Sequence, residues 1–217
     1  MLGFTAAQKV RKYTLSVKQQ KQGLQLSAVT RCDWCRGDAL YESYHDREWG
    51  VPCRDSGQLF EFLLLEGAQA GLSWITILRK RENYRRAYDE FNPELIARWT
   101  DADIAQRLTD EGIIRNRLKV AAARQNARAF LALEEQGDGF TPFLWSFVGG
   151  SPRQNSFESH ADVPASTPAS RLMSKSLKKA GFSFVGETIC YALMQATGMV
   201  NDHLVGCFRH GECRALA

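Results

Sequence analysis

DIAQRLTDEGIIRNRLKVAAARQNARAF, residues 103–130, is the stretch on which the fold class turns. Ile104 and Leu108 stand four apart, the spacing of one helical face. Gly112 stands where a left-handed residue would end that helix. Ile113 and Ile114 read as turning inward to pin the turn. A longer helix is expected from about Arg115 to Glu134. An apolar helix, a pinned glycine turn and a basic helix have the logic of a helix-hairpin-helix. N–H groups at the start of the second helix would face a phosphate, helped by the helix dipole. From Gly112 to Leu133 there is no Asp or Glu, whereas Arg115, Arg117, Lys119, Arg124 and Arg128 are all present. The bland alternative is a solvated face with a chance basic bias. A phosphate clamp gives affinity without sequence information, so this element alone says duplex binder and no more.

Outward from it the pattern stays helical. Asp55 or Ser56 can cap a helix whose apolar positions Leu59, Phe60, Leu63 and Leu64 recur at three and four. Gly67 and Gly71 loosen the next segment, and Trp74, Ile75, Ile77 and Leu78 open a new stripe. Asn92-Pro93 starts a short helix, and Thr100 or Asp101 starts the next. Residues 149–169 are rich in Ser, Pro, Gly and Asn and read as an irregular connector. Helices are expected again at about Pro168–Lys179 and Val185–Thr197. With no sustained alternation and no Asn-Gly hairpin, the chain reads as all-α.

The chain has 217 residues, 44% of them apolar, enough for one substantial core. A net charge of +4 permits nucleic-acid binding without demanding it. No apolar run reaches the length of a membrane span, and no export signal opens the chain. A cytoplasmic protein is expected, whose six Cys are thiols or metal ligands, not disulfides. Residues 1–30 are polar and basic, and read as a flexible extension preceding a single domain over 31–217.

Two segments far apart in the chain carry metal-ligand chemistry. Cys32 and His45 lie in RCDWCRGDALYESYHDREWG, and His203 and Cys207 lie in VNDHLVGC. The H-x3-C spacing would put His203 and Cys207 on one helical face. Two thiolates and two imidazoles make a closed tetrahedral zinc shell, which is structural because no position is left for water. It would join the beginning of the domain to its end. Cys32 with Cys35, and His210 with Cys213, are competing pairs. Cys53 reads as a surface thiol and Cys190 as core.

Pocket candidates lie close by in sequence. Glu66 ends the strongly apolar LFEFLLLE, with Glu61 on a different face. A carboxylate beside that much apolar surface needs partners, which the N–H groups of a nucleobase could supply. Leu72 reads as a wedge and Trp74 as a flat stacking ring, the pair that extruding a base requires. Trp34, Tyr44 and Trp49 flank the proposed ligands, so zinc would fix three aromatic walls. For each ring alone, ordinary core packing is the plainer reading.

These stretches together resemble the 3-methyladenine DNA glycosylase I family of the helix-hairpin-helix superfamily. The likeness rests on YHDREWGVP, LEGAQAGLSWITIL, GIIRNRLK, LWSFV, LKKAGFSFVG and VNDHLVGC, and covers nearly everything from Arg31 to about Cys207. It implies a helix-hairpin-helix glycosylase fold that flips 3-methyladenine out of alkylated duplex DNA and removes it hydrolytically. It places zinc, one per chain, on Cys32, His45, His203 and Cys207. It places the base pocket on Glu66, Tyr44 and Trp74, with Trp34 and Trp49 as further aromatic positions and Leu72 filling the duplex gap. The hairpin falls on Leu108 to Lys119, with Gly112, Arg115, Arg117 and Lys119 as its DNA contacts. It implies a monomer without a dissociable organic cofactor, and no catalytic Asp or Schiff-base lysine. The rival from another class is a non-catalytic, zinc-stabilised DNA-binding module.

Overall fold

A computed structural model describes residues 29–137 and 139–216. The expected N-terminal extension therefore lies almost wholly outside the described residues. The remainder is helical: α1 (Ala39–Arg47), α2 (Ser56–Gln69), α3 (Trp74–Ala87), α4 (Pro93–Ala97), α5 (Asp101–Arg107), α6 (Arg117–Gln136), α7 (Phe140–Ser146), α8 (Pro168–Lys179), α9 (Glu187–Ala196) and α10 (Phe208–Arg214). Single turns of tighter helix stand at Asp33–Cys35 and His160–Asp162.

The caps explain most boundaries. Asp55 accepts from the Gln58 N–H at the start of α2, and Asn92 from Leu95 at the start of α4. Thr100 and Asp103 exchange hydrogen bonds in a capping box at α5. Asn116 receives the N–H groups of Leu118 and Lys119, so α6 begins at Arg117.

The expectation at Gly112 fails. α5 ends at Arg107, five residues earlier, and Gly112 is not in the left-handed region. Its reason is space: a Cβ there would lie 2.8 Å from Asp110 Oδ1 and 2.9 Å from Asn83 Cβ. Ile113 is buried and Ile114 half-buried, so the turn is pinned as expected. The irregular connector also contributes a strand. Arg153–Gln154 (β1) pairs in parallel with Val200–Asn201 (β2).

α2 is the hub of the core. Ten consecutive residues, Leu59 to Ala68, are buried, so the helix is enclosed on every side. It packs against α3, α6, α7 and α9. Glu66 thus enters the interior on the most enclosed helix of the molecule.

Candidate active site and metal centre

Cys32 lies just before the Asp33–Cys35 turn and His45 in the last turn of α1. His203 and Cys207 come after β2 in the chain. All four are buried, and one ligand atom from each lies within 4.8 Å of the others. Cys207 Sγ is 3.4 Å from His45 Nε2 and 3.7 Å from His203 Nδ1, and Cys32 Sγ is 3.7 Å from His203 Nδ1. The remaining ring nitrogens have partners: His45 Nδ1 is 2.8 Å from Asp46 Oδ1, and His203 Nε2 is 2.9 Å from the Trp49 carbonyl oxygen. Arg31 grips Asp46 with Nε and Nη2. Such outer partners orient a ligating imidazole. Cys207 is held far below the usual thiol range by hydrogen bonding from Cys32 and then from His203 and His45. Cys32 is pushed up by the same Cys207 contact and by burial. The group could hold a metal ion.

The helical reason for H-x3-C does not hold. His203 and Cys207 lie in a turn, with the Cys207 N–H donating to the Leu204 carbonyl, and α10 starts only at Phe208. The competing residues lie outside the group. Cys35 Sγ donates to the Cys32 carbonyl, and His210 Nε2 stands 2.9 Å from the Asn155 carbonyl oxygen. Cys53 is half-buried and Cys190 fully buried.

Against this centre lies a cavity of about 270 Å³, lined by Trp34, Tyr44, Trp49, Glu66 and Trp74 together with Tyr41, Gln69, His160, Ala192 and Gln195. Its size suits one flat ring system better than a chain. Trp34 and Trp49 meet edge to face at 5.0 Å, and Tyr44 and Trp74 lie 5.5 Å apart. Trp49 serves both places: its carbonyl oxygen orients His203 while its ring walls the cavity.

Two polar atoms in this cavity are buried without a protein partner: Glu66 Oε2 and Trp74 Nε1. Burial pushes the Glu66 carboxyl up to about 8. Burial, then the neighbouring Glu66 carboxylate, holds the Tyr44 phenol well above its usual value, so it remains a donor. Glu61 offers a control on the same helix. Equally buried, it accepts from Arg81 Nε at 2.7 Å and Arg85 Nη2 at 2.8 Å. A buried carboxyl left without such partners has its acceptor capacity directed elsewhere.

Leu72 is 40% exposed in the loop between α2 and α3, where Gly71 takes a φ of +79°. Tyr41 and Gln69 escaped the sequence reading, although each stands three residues from a pocket residue on its own helix. His160 had no local signal, because the connector reaches the cavity only through its tertiary path.

The basic run separates into two groups. Arg115 and Arg117 are exposed beside the start of α6. Among the described residues their backbone N–H groups meet no backbone acceptor. Arg124 donates to the Trp99 carbonyl and Arg128 to the Ala97 carbonyl. Lys119 Nζ donates to the carbonyls of Ala68 and Ala70. The Gly112 N–H donates to Asp110 Oδ1. The outward positive field is thus narrower than the composition implied.

The methyladenine glycosylase family model matches residues 34–210. DNA-3-methyladenine glycosylase 1 of Escherichia coli (strain K12) is 52% identical over 179 residues, covering 82% of this chain and 96% of its own. A crystal structure of 3-methyladenine DNA glycosylase I matches with a TM-score of 0.82 and 55% identity, over 82% of this chain and 98% of the other. A substituted form of that enzyme type, in complex with 3-methyladenine, matches with a TM-score of 0.80 and 36% identity, over 82% of this chain and 96% of the other. This chain belongs to the methyladenine glycosylase family.

Proposed function

We propose that this protein excises 3-methyladenine from alkylated duplex DNA by hydrolysis, leaving an abasic site. The observation that carries the reading is the pair of unpartnered polar atoms, Glu66 Oε2 and Trp74 Nε1, in one aromatic cavity. A buried acceptor and a buried donor each cost stability unless a ligand completes them. A flipped purine does so: its amino group donates to Glu66, and its ring nitrogens accept.

Methylation at N3 makes the base cationic and a good leaving group. Trp faces attract a cation, and the Glu66 carboxylate adds charge. The reaction forms a bond from water oxygen to C1′ and breaks the bond from C1′ to the base. The bonding electrons neutralise the ring, and the water proton passes to solvent. Favouring the departing base over the neutral bases of DNA supplies selectivity and rate together. No catalytic Asp is assigned. Glu134, at the far end of α6, receives the Phe140 N–H instead.

In this reading α5, the turn and α6 form the helix-hairpin-helix. Arg115 and Arg117, with their free backbone N–H groups, hold a phosphate, Gly112 permits the turn, and Leu72 enters the gap that the base leaves. Cys32, His45, His203 and Cys207 would hold one zinc ion, which would be structural because four protein ligands leave no position for water. Two thiols and two imidazoles are the donors zinc prefers, and one ligand atom from each of the four lies within 4.8 Å of the others. The enzyme acts as a monomer on double-stranded DNA, without an organic cofactor. Among the described residues no helix is long and apolar enough to cross a membrane.

Chromatography of bases released from methylated duplex DNA tests the reaction. Free 3-methyladenine is expected, with 7-methylguanine retained. Release of neither by folded, metal-loaded protein would favour a non-catalytic DNA-binding module.

A further inference from the structure

α2 ends without a basic residue in its last turn, so its own sequence supplies no cation for its terminal carbonyls. Among the described residues no backbone N–H reaches the carbonyl oxygens of Ala68 or Ala70. Lys119 serves both, at 2.8 and 2.6 Å, from a position 51 and 49 residues away in sequence. Those carbonyls lie in the short span that runs from Glu66 to Leu72 and Trp74. Lys119 itself is in the first turn of α6, and its N–H is fixed by Asn116. Arg117 is two residues before it. One ammonium thus bridges the carboxylate-and-wedge segment and the end of the helix that carries the exposed arginines. Burial lowers the Lys119 pKa, which accords with a group turned into the protein.

We propose that Lys119 is a positioning residue, not a phosphate contact. It holds residues 66–74 in register with the start of α6, so that a phosphate bound at Arg115 and Arg117 sets a lesion opposite Leu72 and Glu66. This rests on the glycosylase reading above. Misplacement by about an ångström costs up to roughly 100-fold in rate. A lost phosphate contact would instead weaken binding to every duplex and flatten its salt dependence by about one charge.

The test compares wild type, Lys119→Met and Lys119→Arg on methylated duplex DNA. Single-turnover base release at saturating enzyme is measured, along with duplex affinity across a salt series. Lys119→Met is expected to lower the saturated rate by about 10- to 100-fold while its salt slope matches wild type. Lys119→Arg, which keeps the donors, is expected to restore most of the rate. A slope shallower by about one, with the saturated rate unchanged, would overturn the proposal and return Lys119 to the phosphate backbone. A wild-type rate in Lys119→Met would overturn it as well. Should Lys119→Met not fold, Lys119→Gln carries the comparison, with the same two outcomes. Absence of base release by the wild type sinks the glycosylase reading itself, which is a separate result.

Discussion

The Cys/His group and the aromatic cavity share a wall at Trp49, yet they are built on opposite terms. In the group every polar atom is answered: the free nitrogens of His45 and His203 have acceptors, and Asp46 is itself held by Arg31. In the cavity, Glu66 Oε2 and Trp74 Nε1 are left open. A complete network fixes structure, and an incomplete one waits for a ligand. The first should therefore govern folding and the second chemistry.

The largest break in this comparison is Cys207→Ser. Losing a ligand is expected to remove the metal and cost about 4–5 kcal/mol of stability. For a domain of this size that lowers Tm by roughly 10–20 °C. Metal analysis and calorimetry read both effects. Cys35→Ser, also buried but bonded only to the Cys32 carbonyl, should retain a full equivalent. A full equivalent in Cys207→Ser would remove Cys207 from the shell.

Glu66→Gln should act in the opposite sense on the two regions. Base release is expected to fall by roughly 10²–10³-fold, the loss typical of one buried electrostatic contact in a transition state. Stability should rise at alkaline pH. The Glu66 carboxyl goes from its ordinary 4.5 up to about 8 on burial. Between those values the native protein keeps a proton that the unfolded chain has released, so stability falls as pH rises through that window. Gln at this position removes that fall. A cationic base favours the carboxylate, so wild-type kcat/KM for excision should climb as pH approaches about 8, and Glu66→Gln should flatten that limb. Unchanged excision in the variant would sink the pocket assignment.

The legibility of the residues in the sequence divides along the same line. The grouping of Cys32, His45, His203 and Cys207 was legible because thiol and imidazole chemistry is narrow. Their local geometry was not: H-x3-C fits a helix, but β2 must pair with β1 across the chain, and that pairing places His203 in a turn. The helices around Glu66 were legible from period and caps. At Lys119, Arg124 and Arg128 the sequence displays charge without showing which carbonyls lie opposite. Gly112 was rightly read as special but for the wrong cause, since the crowding against Asn83 comes from a different helix. His160 reaches the cavity through the tertiary path of an irregular connector, which no periodicity encodes.

The smallest effect belongs to the outer surface. Arg115 is 52% exposed at its side chain and contacts Glu111 only loosely at 3.4 Å. Such a pair contributes little to folding. Arg115→Ala with Arg117→Ala should therefore leave Tm and metal content near wild type. It should weaken binding to methylated and unmethylated duplexes alike, with a salt slope shallower by about one for each lost phosphate contact. Fluorescence titration across a salt series reads this. A loss confined to methylated DNA would place these arginines in lesion recognition, and the division between a surface that holds DNA and a cavity that chooses the base would then have to be redrawn.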